Sequence, residues 1–203
     1  ITYATDTAIS TQRGALALGT RMQMAVTDIT TYGWFAGGSP GTSLSTVQRI
    51  TYATDTATAS IRGPLSTGRL NLAASCNTSY GWFGGGATVA LPSNSGLVST
   101  VDRIDYSNDT ATATTKGPLS LARQQLASVT DSTTYGWFGG GYSSGVKTTI
   151  DRITYATDTT AASVRGSLFQ AVARQAGTGS NTAGYLGGGY TGFKSVVQRI
   201  TYA

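Results

Sequence analysis

The sequence predicts an all-β fold, a β-propeller of four-stranded antiparallel blades with four blades per chain. Three observations carry this expectation. A heptapeptide recurs at near-regular steps, a glycine-ended aromatic block recurs in register with it, and the composition favours strands over helices.

The heptapeptide Ile-Thr-Tyr-Ala-Thr-Asp-Thr begins at residues 1, 50 and 153, with the variant Ile-Asp-Tyr-Ser-Asn-Asp-Thr at 104. A last Ile-Thr-Tyr-Ala begins at 200, so the steps are 49, 54, 49 and 47 residues. The second block, Tyr-Gly-Trp-Phe followed by glycines, starts at Tyr32, Tyr80 and Tyr135, and its fourth copy is Ala-Gly-Tyr-Leu from Ala183. A third block places a cation before a glycine at Arg13, Arg62, Lys116 and Arg165. A sustained period of about 50 residues marks stacked units that bury their faces against one another. The repeats run approximately 1–49, 50–103, 104–152 and 153–199, with a truncated fifth start at 200–203, all within one propeller domain or half-domain.

Each unit divides into four short strands. In the second unit they are expected at 69–75, 79–83, 98–106 and 110–114. Cys-Asn-Thr at 76–78 and Ser-Asn-Asp at 107–109 have turn composition, and Thr-Ala-Thr-Ala alternates with the strand period. In Tyr-Gly-Trp-Phe, alternation sets Tyr and Trp on one face with Phe opposite, which suits packing between blades better than sugar stacking.

Composition narrows the function classes. A 203-residue globular chain buries roughly 70% of its unfolded surface. Histidine is absent, so the commonest general base and metal ligand is missing. Glutamate is absent too, and Cys76 is alone, so no disulfide closes within the chain. No apolar run approaches the ~18 residues of a membrane helix. The chain opens on Ile1 and its first methionine is Met22, which reads as a processed or excised piece.

The blocks resemble kelch repeats. Gly117-Pro-Leu-Ser-Leu-Ala-Arg123 is similar to the segment leading into that family's first strand. The glycine doublets at 37–38, 84–85, 139–140 and 187–188 resemble the end of its second strand. Tyr52-Ala-Thr-Asp55 and Tyr106-Ser-Asn-Asp109 resemble the end of its third. The family's fourth-strand Trp is replaced by Thr58, Thr112 and Ala162, which marks a divergent branch similar to repeats of phage and environmental virion-associated proteins. The resemblance implies a propeller in a virion-associated or extracellular setting, and it implies no particular activity.

The chain starts and ends inside third strands, and residues 6–10 read as an unattached fourth strand. Pairing the two ends removes an exposed edge. It closes either a four-bladed ring within one chain or an eight-bladed ring from two, and the homodimer is the favoured arrangement.

Net charge is +5, yet twelve of the 14 basic residues fall at three repeated positions, which makes rings rather than a nucleic-acid-binding face. One such ring, Arg21, Arg69, Arg123 and Arg174, is a candidate for holding an anion. The segments after the glycines, 39–45, 87–97, 142–147 and 190–194, vary most between units. Loops on a rigid scaffold carry function, so Tyr142, Lys147, Tyr190, Phe193 and Lys194 are the candidate ligand contacts for a glycan or protein. Asp102, Asp105 and Asp151 could form a hydrolase's carboxylate pair. The recurrence of the first and last as Gln48 and Gln198 favours a structural role. The expected protein is a non-catalytic binding scaffold with no cofactor, no metal and no membrane association, with a carbohydrate-binding propeller as the alternative.

Overall fold

Successive side chains of a strand point to opposite faces, so the Tyr-Gly-Trp-Phe blocks form two-faced central strands. In the computed structural model, which describes residues 9–89 and 95–202, each block is the second strand of a meandering sheet. The first sheet comprises β1 (Met24–Thr27), β2 (Tyr32–Ala36), β3 (Val47–Thr51) and β4 (Ser60–Arg62). The second comprises β5 (Ala73–Cys76), β6 (Tyr80–Gly84), β7 (Val101–Asp105) and β8 (Thr114–Lys116). The third begins with β9 (Ala127–Thr130) and β10 (Tyr135–Gly139). A small hairpin of β11 (Tyr142–Ser143) and β12 (Gly145–Val146) follows, and then β13 (Thr149–Thr154) and β14 (Ser163–Ser167) complete the sheet. The fourth has three strands, β15 (Ala176–Gly179), β16 (Ala183–Gly187) and β17 (Val197–Thr201). All pairings are antiparallel, and the sheets are set around a common axis as the blades of a four-bladed β-propeller.

The largest departures from the expected strand boundaries fall in the fourth and first strands of the second unit. The fourth strand of the second unit is Thr114–Lys116 rather than 110–114. Asp105 caps a 3-10 turn over Tyr106–Asn108 by accepting from the Ser107 amide, and this turn takes up the chain that was expected to pair. Ala113 then donates to the Pro64 carbonyl of the preceding blade. The first strand begins at Ala73 rather than 69, because Asn71 is in the left-handed region (φ 56°) and its amide turns towards the neighbouring blade. Of the expected strand at 6–10, residues 6–8 lie outside the described residues, and Ile9 and Ser10 belong to no strand.

The blades pack as the alternation requires. Trp34 of the first blade stacks on Tyr106 of the second, with centroids 4.1 Å apart and planes 6° from parallel. Trp82 stacks likewise on Tyr155 (4.0 Å) and Trp137 on Tyr202 (3.9 Å). Phe83 and Phe138 point the other way, back into the preceding interface, and both are fully buried. Burying a Phe-sized side chain contributes roughly 1.5–3 kcal/mol. Three apolar clusters result, one at each junction from the first blade to the fourth.

An aspartate completes the first two junctions. Asp109 accepts from Trp34 Nε1 (2.8 Å) and Arg49 (3.0 Å), both across the junction, and Arg62 stands 3.6 Å away. Asp158 repeats the arrangement with Trp82 (2.8 Å), Arg103 (3.0 Å) and Lys116 (3.4 Å). Arg49 and Arg103 also lie over the Tyr32 and Tyr80 rings. The main chains nearly touch here: Gly63 donates to the Asp109 carbonyl, and a Cβ on Gly63 would collide with the Ala111 carbonyl.

Removing the carboxylate leaves an indole N–H and two cations without their acceptor. Asp109→Ala is therefore expected to cost about 3 kcal/mol in urea unfolding followed by Trp fluorescence. Burial also pushes the Tyr106 and Tyr155 phenols well above their ordinary pKa. The unfolded chain releases these protons near pH 10 while the folded chain keeps them, so the stabilisation is complete below that pH and is lost above it. Unfolding free energy is expected to fall by about 1 kcal/mol or more between pH 10 and 11.

Candidate functional site

Residues just before each first strand line the axis. Met22, Asn71, Gln125 and Arg174 are repeat equivalents, each with φ between 56° and 62°. Non-glycine residues enter this region only when their surroundings demand it. The demand here is a ladder of main-chain bonds: Asn71 donates to Met22 O (3.0 Å), Gln125 to Asn71 O (2.8 Å) and Arg174 to Gln125 O (2.9 Å). A small axial cavity of about 190 Å³ is bordered by all four of these residues.

The four arginines expected to form an anion ring occupy three different structural positions. Arg69 and Arg123 are equivalent and fully buried. Arg69 meets Asp102 at 2.7 Å and donates to the carbonyls of Gly85 and Thr100, and Arg123 meets Asp151 at 3.0 Å. Burial pulls both guanidinium pKa values down, and the facing carboxylates pull them back up. Arg21 bridges to Ser39 and so matches Leu70 and Gln124, one residue further on. Arg174 sits on the axis, two residues further on. Loop lengths differ ahead of each strand, so the nearest arginine is not the equivalent one.

Where the first and fourth blades lack the buried arginine, with Thr20 and Val172 in its place, the carboxylate is also replaced. Gln48 exchanges hydrogen bonds with the main chain of Leu18, and Gln198 with that of Gln170. The alternation of Asp with Gln at this position was visible in the sequence and is the signal that identifies the pair. The remaining candidate acid, Asp105, is the cap already described.

The variable loops gather beside the axis between the third and fourth blades. There Tyr142, Val146, Ala173, Tyr190 and Thr191 line a pocket of about 220 Å³, closed towards the axis by Gln125 and Arg174. The β11–β12 hairpin places Tyr142, which exchanges main-chain bonds with Gln124. Tyr190 exchanges them with Ala173, and its ring has the Arg174 guanidinium 5.4 Å from its centroid. Of the five expected ligand contacts, Tyr142 and Tyr190 therefore line the pocket. Phe193, 95% exposed, packs edge-on against Tyr190 from outside (5.9 Å). Lys147 and Lys194 anchor their loops by main-chain bonds to Gly141 and Gly189, and their side chains do not line the pocket. Gln125 and Ala173 were not anticipated: the left-handed ladder brings Gln125 there, and main-chain bonds to Tyr190 bring Ala173.

The turn aspartates behave as turn chemistry predicts. Asp28 Oδ1 accepts from the amides of Thr30, Thr31 and Tyr32, and Asp131 does the same in the third blade. In the fourth blade Ser180 takes this position, its Oγ accepting from the amides of Thr182 and Ala183. Among the described residues no three of His, Cys, Asp and Glu converge on one point, and no helix is long and apolar enough to cross a membrane. No family model matches this chain, and no curated protein matches it by sequence.

The buried pairs give a test by exchange between blades. Asp102→Gln strands the Arg69 charge in the interior and is expected to cost about 3 kcal/mol. Arg69→Thr with Asp102→Gln recreates the first blade's arrangement, and urea unfolding is expected to show about half of that loss or less.

Proposed function

We propose that this chain is a non-catalytic binding scaffold of kelch-like type, which presents its post-glycine loops on one face of the propeller. The observation that carries this reading is the separation of repeated from varied residues. The repeated aromatic, cationic and acidic groups hold blades to one another or cap turns. The varied loops place two tyrosines over a pocket beside the axis. The formal hydrolase alternative fits poorly, since Asp102 and Asp151 are fully buried against arginines and Asp105 caps a turn. A virion-associated or extracellular assembly is the setting we propose, on the likeness of the repeats to those of such proteins.

The same pocket favours a carbohydrate as a second reading. Aromatic faces from Tyr142 and Tyr190 suit the apolar face of a sugar ring, and Gln125 and Arg174 add polar groups at the inner wall. A glycan array with the purified chain tests this. Binding is expected to fall at least tenfold in Tyr190→Ala and in Tyr142→Ala, measured by titration calorimetry on any glycan retained. Retained binding in both variants would place the glycan elsewhere, and an array without a hit would leave the scaffold reading with a protein ligand.

A further inference from the structure

We propose that a second copy of this chain docks across the seam between the fourth and first blades, so that two chains complete one ring of eight blades. This goes beyond the scaffold reading and does not rest on it. The argument starts from the first two junctions, where one blade gives a Trp and an Arg, and the next receives them with a Tyr and an Asp. The fourth strand of the giving blade adds a further cation to the same Asp.

Both halves of one more such junction are present, and they are not joined to each other. On the outer face of the fourth blade, Tyr185 stands at the Trp position and Arg199 at the Arg position. Both are exposed, Tyr185 by 38%, and Arg199 has no ion pair among the described residues. On the outer face of the first blade, Tyr52 and Asp55 stand at the receiving positions, and Tyr52 is 39% exposed. A phenol O–H can donate to Asp55 as the indole N–H donates to Asp109.

Residues 13 and 14 already make the contacts that a fourth strand of the preceding blade makes. Gly14 donates to the Asp55 carbonyl at 2.7 Å, as Gly63 does to Asp109 at 2.8 Å. Arg13 stands 3.3 Å from Asp55, in the role of Arg62. Residues 11–13 therefore lie where a fourth strand ends, and among the described residues no strand pairs with them. At the other end β17 is a third strand that pairs with no fourth strand among the described residues, and Val197 on it is exposed. The β3–β4 register would set residues 11–13 against residues 199–197.

Within one chain these halves do not meet. No ion pair joins Arg199 to Asp55, and no apolar cluster spans the fourth and first blades among the described residues. The axial ladder likewise runs from Met22 to Arg174 without a bond from the Met22 amide back to Arg174. The two faces differ, so the contact is head-to-tail, and such contacts give a closed ring when the rotation allows it. Two chains then make two identical seams, each with a paired β17 edge.

Light scattering on the full chain at micromolar concentration is expected to give twice 20.9 kDa. Arg199→Glu and Asp55→Lys are each expected to weaken the dimer at least tenfold, with the near-UV circular dichroism of the folded blades retained. Combining them is expected to recover most of the affinity. A monomer mass for the unsubstituted chain would overturn the proposal, whether the seam then closed within one chain or stayed open. A mass above two chains would also overturn it, as would a dimer indifferent to Arg199→Glu.

Discussion

A buried carboxylate that gathers donors from the preceding blade is the interaction on which this architecture turns. Asp109 and Asp158 are nearly inaccessible to water, and an isolated charge there would be strongly destabilising. Each is satisfied by an indole N–H and two cations, and those donors are positioned only when the Trp lies flat on the following Tyr. Stacking, cation–π contact and hydrogen bonding therefore agree on one angle between neighbouring sheets. Repeating that angle is what carries the sheets around an axis.

The variable loops can differ because they bear none of this. The residues that set the blade angle lie in the central strands and at the turns after the third strands. The segments after the glycines begin where those strands have ended. The small hairpin Tyr142–Val146 and the short loop around Tyr190 differ in length and conformation, yet the ladder beneath them keeps its bond lengths. A pocket with a tyrosine from each of two adjacent blades follows from that division, since neighbouring loops converge towards the axis.

Most of the fold was legible in the sequence because its determinants recur. The Tyr-Gly-Trp-Phe blocks located the second strands, and the recurring heptapeptides located the ends of the third. The fourth strand was misplaced because Thr-Ala-Thr-Ala has strand alternation, whereas its neighbourhood is governed by a capped turn and a bond to the preceding blade. The arginine alignment failed for a related reason. Arg21, Arg123 and Arg174 look equivalent along the chain, but strand register separates them by one and two residues. The Asp-to-Gln exchange at Asp102, Asp151, Gln48 and Gln198 held the needed information, because a buried arginine and its acid are gained or lost together. The pocket was half legible. Its tyrosines stood out as loop aromatics, while Gln125 and Arg174 reach it through a left-handed backbone that no local motif announces.

That backbone has an evolutionary corollary. Met22, Asn71, Gln125 and Arg174 share one conformation although their side chains are a thioether, an amide, a longer amide and a guanidinium. The bonds between neighbouring main chains dictate the shape at these sites, and four different unbranched-Cβ side chains are accommodated there. Exchange among these side-chain types can thus recolour the central lumen, from greasy to polar to cationic, on one shared main-chain frame.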